Sequence, residues 1–139
     1  MFTHLNVHSH YSQMQGTTSQ QQFITAARNQ KVSHLAFTET NGLWGFICFT
    51  QHAHRAKINP IAGVNLITDK DEAILLAENQ RGYENISRAI SAIHDNPNQS
   101  IAHILDGQSD GIFILSHQAH TLKSLCGTIS NSHLFVELR

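Results

Sequence analysis

The run His4-Leu5-Asn6-Val7-His8-Ser9-His10-Tyr11-Ser12 opens a chain of 139 residues that holds 11 histidines. Alternate residues of a strand point to one side, so positions 4, 6, 8 and 10 form a row that reads His, Asn, His, His. An x-His-x-His pair at a strand end can put two imidazoles on one metal ion. The row therefore has the form of a metal-site strand in which Asn6 stands where a ligand would. His8 is expected to face a pocket, the simpler reading being an imidazole hydrogen-bonded in the core. His10 lies where the loop begins and reads as a surface residue.

Other reactive side chains have plainer readings. His52 and His54 are two apart on an expected helix, share no face, and read as solvated. His103, His120 and His133 have no partner at ligand spacing. Asp69, Asp71 and Glu72 form an acidic turn, read as a solvated loop in preference to a weak cation site. Ser116 beside His117 lacks a nucleophile elbow, and Gly42 and Gly45 around Trp44 lack phosphate-loop spacing. Cys48 and Cys126 are lone thiols without CxxC spacing, and the N-terminus has no basic region followed by an apolar run. Both point to a reduced, cytoplasmic setting.

The elements that position these residues alternate between short apolar runs and amphipathic segments, the α/β pattern. At 139 residues and 40% hydrophobic, the chain is read as one domain, residues 1–139. A strand at His4–His8 is followed by a polar loop, and Thr18 or Ser19 caps a helix carrying Phe23, Ile24 and Ala27. Leu35–Phe37 is a second strand. After the Asn41-Gly42 turn a helix is expected near Trp44, with Ile47 and Cys48 on its face. Pro60–Val64 and Ala73–Ala77 are strands joined by too few residues for a crossover helix, so they should pair antiparallel. Tyr83, Ile86, Ile90 and Ile93 mark the clearest helix. Strands at Ile112–Leu115 and Leu134–Leu138 complete the pattern. The last strand has no helix after it, which suggests the N-terminal part of a longer domain.

Charge excludes one class of function. The formal net charge is −1, charged residues make up 14%, and no block of Lys or Arg is long enough for independent nucleic-acid binding. No stretch reaches transmembrane length.

Five blocks in order carry a resemblance. They are the opening run with Met14-Gln15-Gly16, the segment His34–Gly45, the segment Lys57–Asn65, the segment Ile74–Ile86, and Phe135-Val136-Glu137-Leu138. Together they resemble the PHP (polymerase and histidinol phosphatase) domain at the N-terminus of bacterial DNA polymerase III alpha subunits. The resemblance implies an incomplete or shortened form of a distorted (β/α)7 barrel. In the family, strand ends carry up to about nine ligands for a cluster of about three metal ions, which generate hydroxide and hold phosphoryl oxygens in phosphoesterases and 3′→5′ exonucleases.

Position by position, the resemblance puts family ligands at Asn6, His8, Gln15, Thr40, Asn65, His94 and His117. His8, His94 and His117 would be remnants of the metal set. Asn6, Gln15, Thr40 and Asn65 are lost ligand positions, each now an amide or a hydroxyl. A three-metal cluster brings about six positive charges, and without anionic ligands their repulsion and desolvation are uncompensated.

The expected function is accordingly that of a structural and interaction module in DNA replication, with a degenerate metal site. Its partners would be the rest of a DNA polymerase polypeptide or other replisome subunits. No resident cofactor is expected; zinc or manganese at low occupancy is the alternative, on three imidazoles, giving an active metal-dependent phosphoesterase or exonuclease. Open strand edges and an unroofed apolar interior further predict a homo-oligomer for the isolated chain.

Overall fold

In a computed structural model, residues 2–138 are described and form one five-stranded sheet with helices packed on one face. The elements run α1 (Gln20–Asn29), β1 (His34–Thr40), α2 (Phe46–Arg55), β2 (Asn59–Ile67), β3 (Glu72–Ala77), α3 (Gln80–Asp95), α4 (Ile101–Ile104), β4 (Ile112–Ser116), α5 (Ala119–Leu125), a 3-10 turn (Asn131–His133) and β5 (Leu134–Val136). Strand order is β1-β2-β3-β4-β5. The outer pairs β1–β2 and β4–β5 are parallel, whereas β3 runs antiparallel to both neighbours. The short link between β2 and β3 leaves no other choice, as the sequence implied. The sheet is mixed and is not closed into a barrel by backbone pairing.

Period-2 alternation assigns the two faces. Leu35, Phe37, Val64, Leu66, Leu75, Ile112 and Ile114 are buried on the helix-covered side. There they pack in two clusters, one with Ile86, Ala89 and Ile93 of α3, the other with Ile24, Ala27, Phe49 and Ala53 of α1 and α2. Each fully buried Leu or Ile contributes about 1.5–3 kcal/mol, so this side holds most of the stability. Ala36, Ile74 and Leu76 face the other way, with Leu5, Ile61, Phe113 and Leu115 only partly buried around them.

Helix ends follow local chemistry. Ser19 caps α1 in a capping box with Gln22, and Asn79 caps α3 by accepting from Gly82 N. Gly82 is also fixed by space: a Cβ there would collide with Gly111 O. Stacked rings of Phe37 and Phe49, 4.5 Å apart, dock α2 on β1.

Several expectations change. Residues 4–8 form no regular strand. They lie alongside β1, with Ala36 N donating to His4 O and Thr38 N to Val7 O, three residues on one side against two on the other. Val7 N donates to the Thr38 hydroxyl at 2.7 Å, where a ladder would use a backbone carbonyl. The result is a bulge-like break. The helix expected near Trp44 begins at Phe46, because Gly45 turns the chain at φ 71. Trp44 and Ile47 are 52% and 66% exposed and Cys48 is exposed; Phe49 and Ala53 make the buried face. β5 stops at Val136, short of the expected Leu138. Asp71 is not solvated: it is 6% exposed and accepts from Ile101 N and Thr121 Oγ1. His120 lies 3.4 Å from it.

Candidate functional site

Polar side chains gather where the opening segment, β1, β2 and the ends of β4 and β5 meet. Asn6 Nδ2 donates to Glu137 Oε1 at 2.8 Å, across 131 positions of sequence. The other oxygen of that carboxylate stands 3.8 Å from His117 Nδ1. Asn6 and His117, both expected site positions, thus meet through Glu137, which sequence reasoning left in the last strand.

On the neighbouring elements Thr40 Oγ1 donates to Gln15 Oε1 at 3.0 Å. Asn65, paired with Thr40 in the β1–β2 register, donates from Nδ2 to Glu72 Oε1 at 3.2 Å. Each of the four expected lost positions is therefore hydrogen-bonded to another side chain. Among the described residues Asn6 Oδ1 and Asn65 Oδ1 are buried without a hydrogen-bond partner, as is Nδ1 of His52 on α2, which is therefore not the solvated residue expected.

His8 sits above a buried carboxylate. Its Nδ1 is 3.2 Å from Ser12 Oγ, and Ser12 Oγ donates to Glu39 Oε2. A hydroxyl has one proton, so Ser12 accepts from His8, and Nδ1 carries the proton of that contact. Glu39 is 0% exposed and accepts also from Ser9 N at 2.9 Å and from Ser9 Oγ. Thr40 N donates to Ser12 Oγ at 2.9 Å. Gly16 lets this loop fold back, since a Cβ there would strike Ser9 O. The carboxylate thereby fixes the loop that presents His8 and Gln15. A cleft of about 400 Å³ beside it is lined by His4, Asn6, His8, Gln15, Phe23 and Leu35, among others.

His94, at the end of α3, is exposed and bonds through Nε2 to Asn41 O at 2.8 Å. Asn41 in turn ties β1 to β2, donating to Ile67 O and accepting from Ile67 N. Among the described residues no three His, Cys, Asp or Glu side chains form a group that could hold a metal ion. Glu39 and Glu137 are the residues sequence reasoning missed. The available signal for Glu39 was its register, since it follows Leu35 and Phe37 on the helix-covered face.

No helix among the described residues is long and apolar enough to cross a membrane. The DNA polymerase III alpha subunit of Borreliella burgdorferi is 33% identical over 105 residues, covering 65% of this chain and 9% of that protein. That of Escherichia coli is 28% identical over 127 residues, covering 83% of this chain and 11% of that protein. The chain thus spans only about a tenth of these relatives' length. A solved structure from Bifidobacterium adolescentis, assigned as a metal-dependent phosphoesterase, has the same fold at 10% identity and a TM-score of 0.61, covering 97% of this chain and 76% of that one. The PHP domain model matches residues 4–135, from the opening segment into β5, and the chain belongs to the PHP domain family.

Proposed function

We propose that this chain is a structural and interaction module of DNA replication, the PHP region of a DNA polymerase III alpha-type polypeptide, in which the family's metal site has become a set of side-chain hydrogen bonds. The observation that carries the reading is the pairing of Asn6 with Glu137, Gln15 with Thr40, and Asn65 with Glu72. The donor set does not fit a cluster of about three divalent ions, whose charge of about six needs several converging carboxylates. Gln15 and Asn65 are amides, Thr40 is a hydroxyl, Glu39 is buried under Ser9 and Ser12, and the carboxylates of Glu137 and Glu72 each accept from an amide of the rim, Asn6 and Asn65. Its partners would be the rest of the polymerase polypeptide or other replisome subunits in the cytoplasm, with no resident cofactor and no direct nucleic-acid contact. The curved sheet would correspond to part of the family's distorted (β/α)7 barrel.

The competing reading is a metal-dependent phosphoesterase or 3′→5′ exonuclease on His8, His94 and His117, favoured by the fold shared with the Bifidobacterium protein. Against it, His94 Nε2 is engaged by Asn41 O. Hydrolysis of a model phosphodiester in the presence of manganese separates the two. We expect no turnover above a chelator-treated control; chelator-sensitive turnover lost in His8→Ala overturns the structural reading.

A further inference from the structure

We propose that the Asn6–Glu137 hydrogen bond is a clasp that draws the two edges of the curled sheet together over its apolar inner face. Six extended segments at the usual strand spacing would span about 24 Å if flat. Asn6 Nδ2 beside β1 and Glu137 Oε1 beyond β5 are nevertheless 2.8 Å apart, a gap that two such side chains could not bridge across a flat sheet, so the sheet is strongly curled. The backbone bonds of both edges run inward: His4 O and Val7 O accept from β1, and Glu137 N donates to Ser116 O of β4 at 3.0 Å. Side chains must therefore span the gap between the edges.

The inner face carries a cleft of about 570 Å³ lined by Leu5, Ile61, Leu76, Phe113, Leu115 and Phe135, among others; Leu5 and Val136 of its lining are the chain neighbours of Asn6 and Glu137. Phe135 and Val136 at its mouth remain 47% and 66% exposed, so apolar packing has not closed it. Glu137 is well placed to do so. Its side chain is only 15% exposed and His117 stands by its second oxygen. A carboxylate acceptor makes the bond charge-assisted. The clasp does not depend on the metal reading, since neither residue needs to be a ligand remnant for the edges to meet.

Amide hydrogen exchange on the full chain near pH 7.5 tests the clasp. Ala36 N and Thr38 N are the reporters, because they donate to His4 O and Val7 O. In Asn6→Ala and in Glu137→Ala, exchange at these amides should rise about tenfold, the loss of one hydrogen bond to a charged group. The double variant should be no faster than the faster single, and Glu137→Gln, which keeps an acceptor oxygen, should fall between wild type and Glu137→Ala. Amides of the β2–β3 pair should keep their protection. Unchanged exchange at Ala36 and Thr38 in the singles, or effects that multiply in the double, overturns the clasp. Should the alanine variants unfold throughout, Asn6→Asp decides. Measured at pH 7.5 and again at pH 9 with chelator present, where a shared proton and a bridging cation are removed, two facing carboxylates free the edge, and undiminished protection under both conditions overturns the proposal.

Discussion

Thr40 Oγ1 donates to Gln15 Oε1 at 3.0 Å, so two positions at which the family resemblance implies ligands satisfy each other. Neither side chain carries charge, so the pair brings no anion to balance a cation. With Asn6 on Glu137 and Asn65 on Glu72, the rim is a set of side-chain pairs.

Restoring ligand chemistry should reverse this state. Asn6→His, Gln15→Asp, Thr40→His and Asn65→Glu together are expected to raise zinc and manganese affinity, measured by isothermal titration. An unchanged heat of titration would mean that these four positions do not surround one pocket.

Glu39 should matter to stability more than any residue of the rim. Glu39→Ala leaves Ser9 N and the Ser9 and Ser12 hydroxyls without their acceptor in a buried setting. A loss of about 2–4 kcal/mol is expected in urea unfolding, with Glu39→Gln costing less because it keeps one acceptor oxygen. A loss below about 0.5 kcal/mol for the alanine variant would contradict the burial of the carboxylate.

Gly82→Ala tests the packing of α3. The added Cβ meets Gly111 O, a backbone atom that cannot rotate away. Overpacking of this kind costs about 1–3 kcal/mol, visible as a lower thermal midpoint. An alanine variant as stable as wild type would show that the helix can shift.

Most of the sheet is legible in the sequence because β1 to β4 are apolar runs bounded by turn residues, and the antiparallel β2–β3 pair follows from the few residues between them. The opening segment is not, since the break comes from Thr38, whose hydroxyl replaces a backbone acceptor from 31 positions away. The α2 face is misread because Trp44, Ile47 and Cys48 are apolar at helical spacing, yet the left-handed Gly45 rotates the start of the helix. Glu39 is only half legible: its register after Leu35 and Phe37 places it on the covered face, but its donors are serines 30 and 27 positions earlier. Glu137 becomes informative only once the curl brings it to Asn6.

Exposed Phe135, Val136 and Leu138 lie on or just beyond the last strand. An apolar strand edge of this kind favours pairing with another chain, so sedimentation velocity is expected to give a dimer or larger species that Val136→Lys shifts toward monomer. A single monomeric boundary across concentrations would remove this expectation.

The central claim, a PHP rim held by hydrogen bonds in place of metal ions, is tested most directly by elemental analysis of the purified chain after exposure to zinc and manganese and removal of excess. Metal well below one ion per chain is expected, with a thermal midpoint that chelator does not move. Stoichiometric zinc or manganese, removed by chelator with a fall in the midpoint, would contradict it.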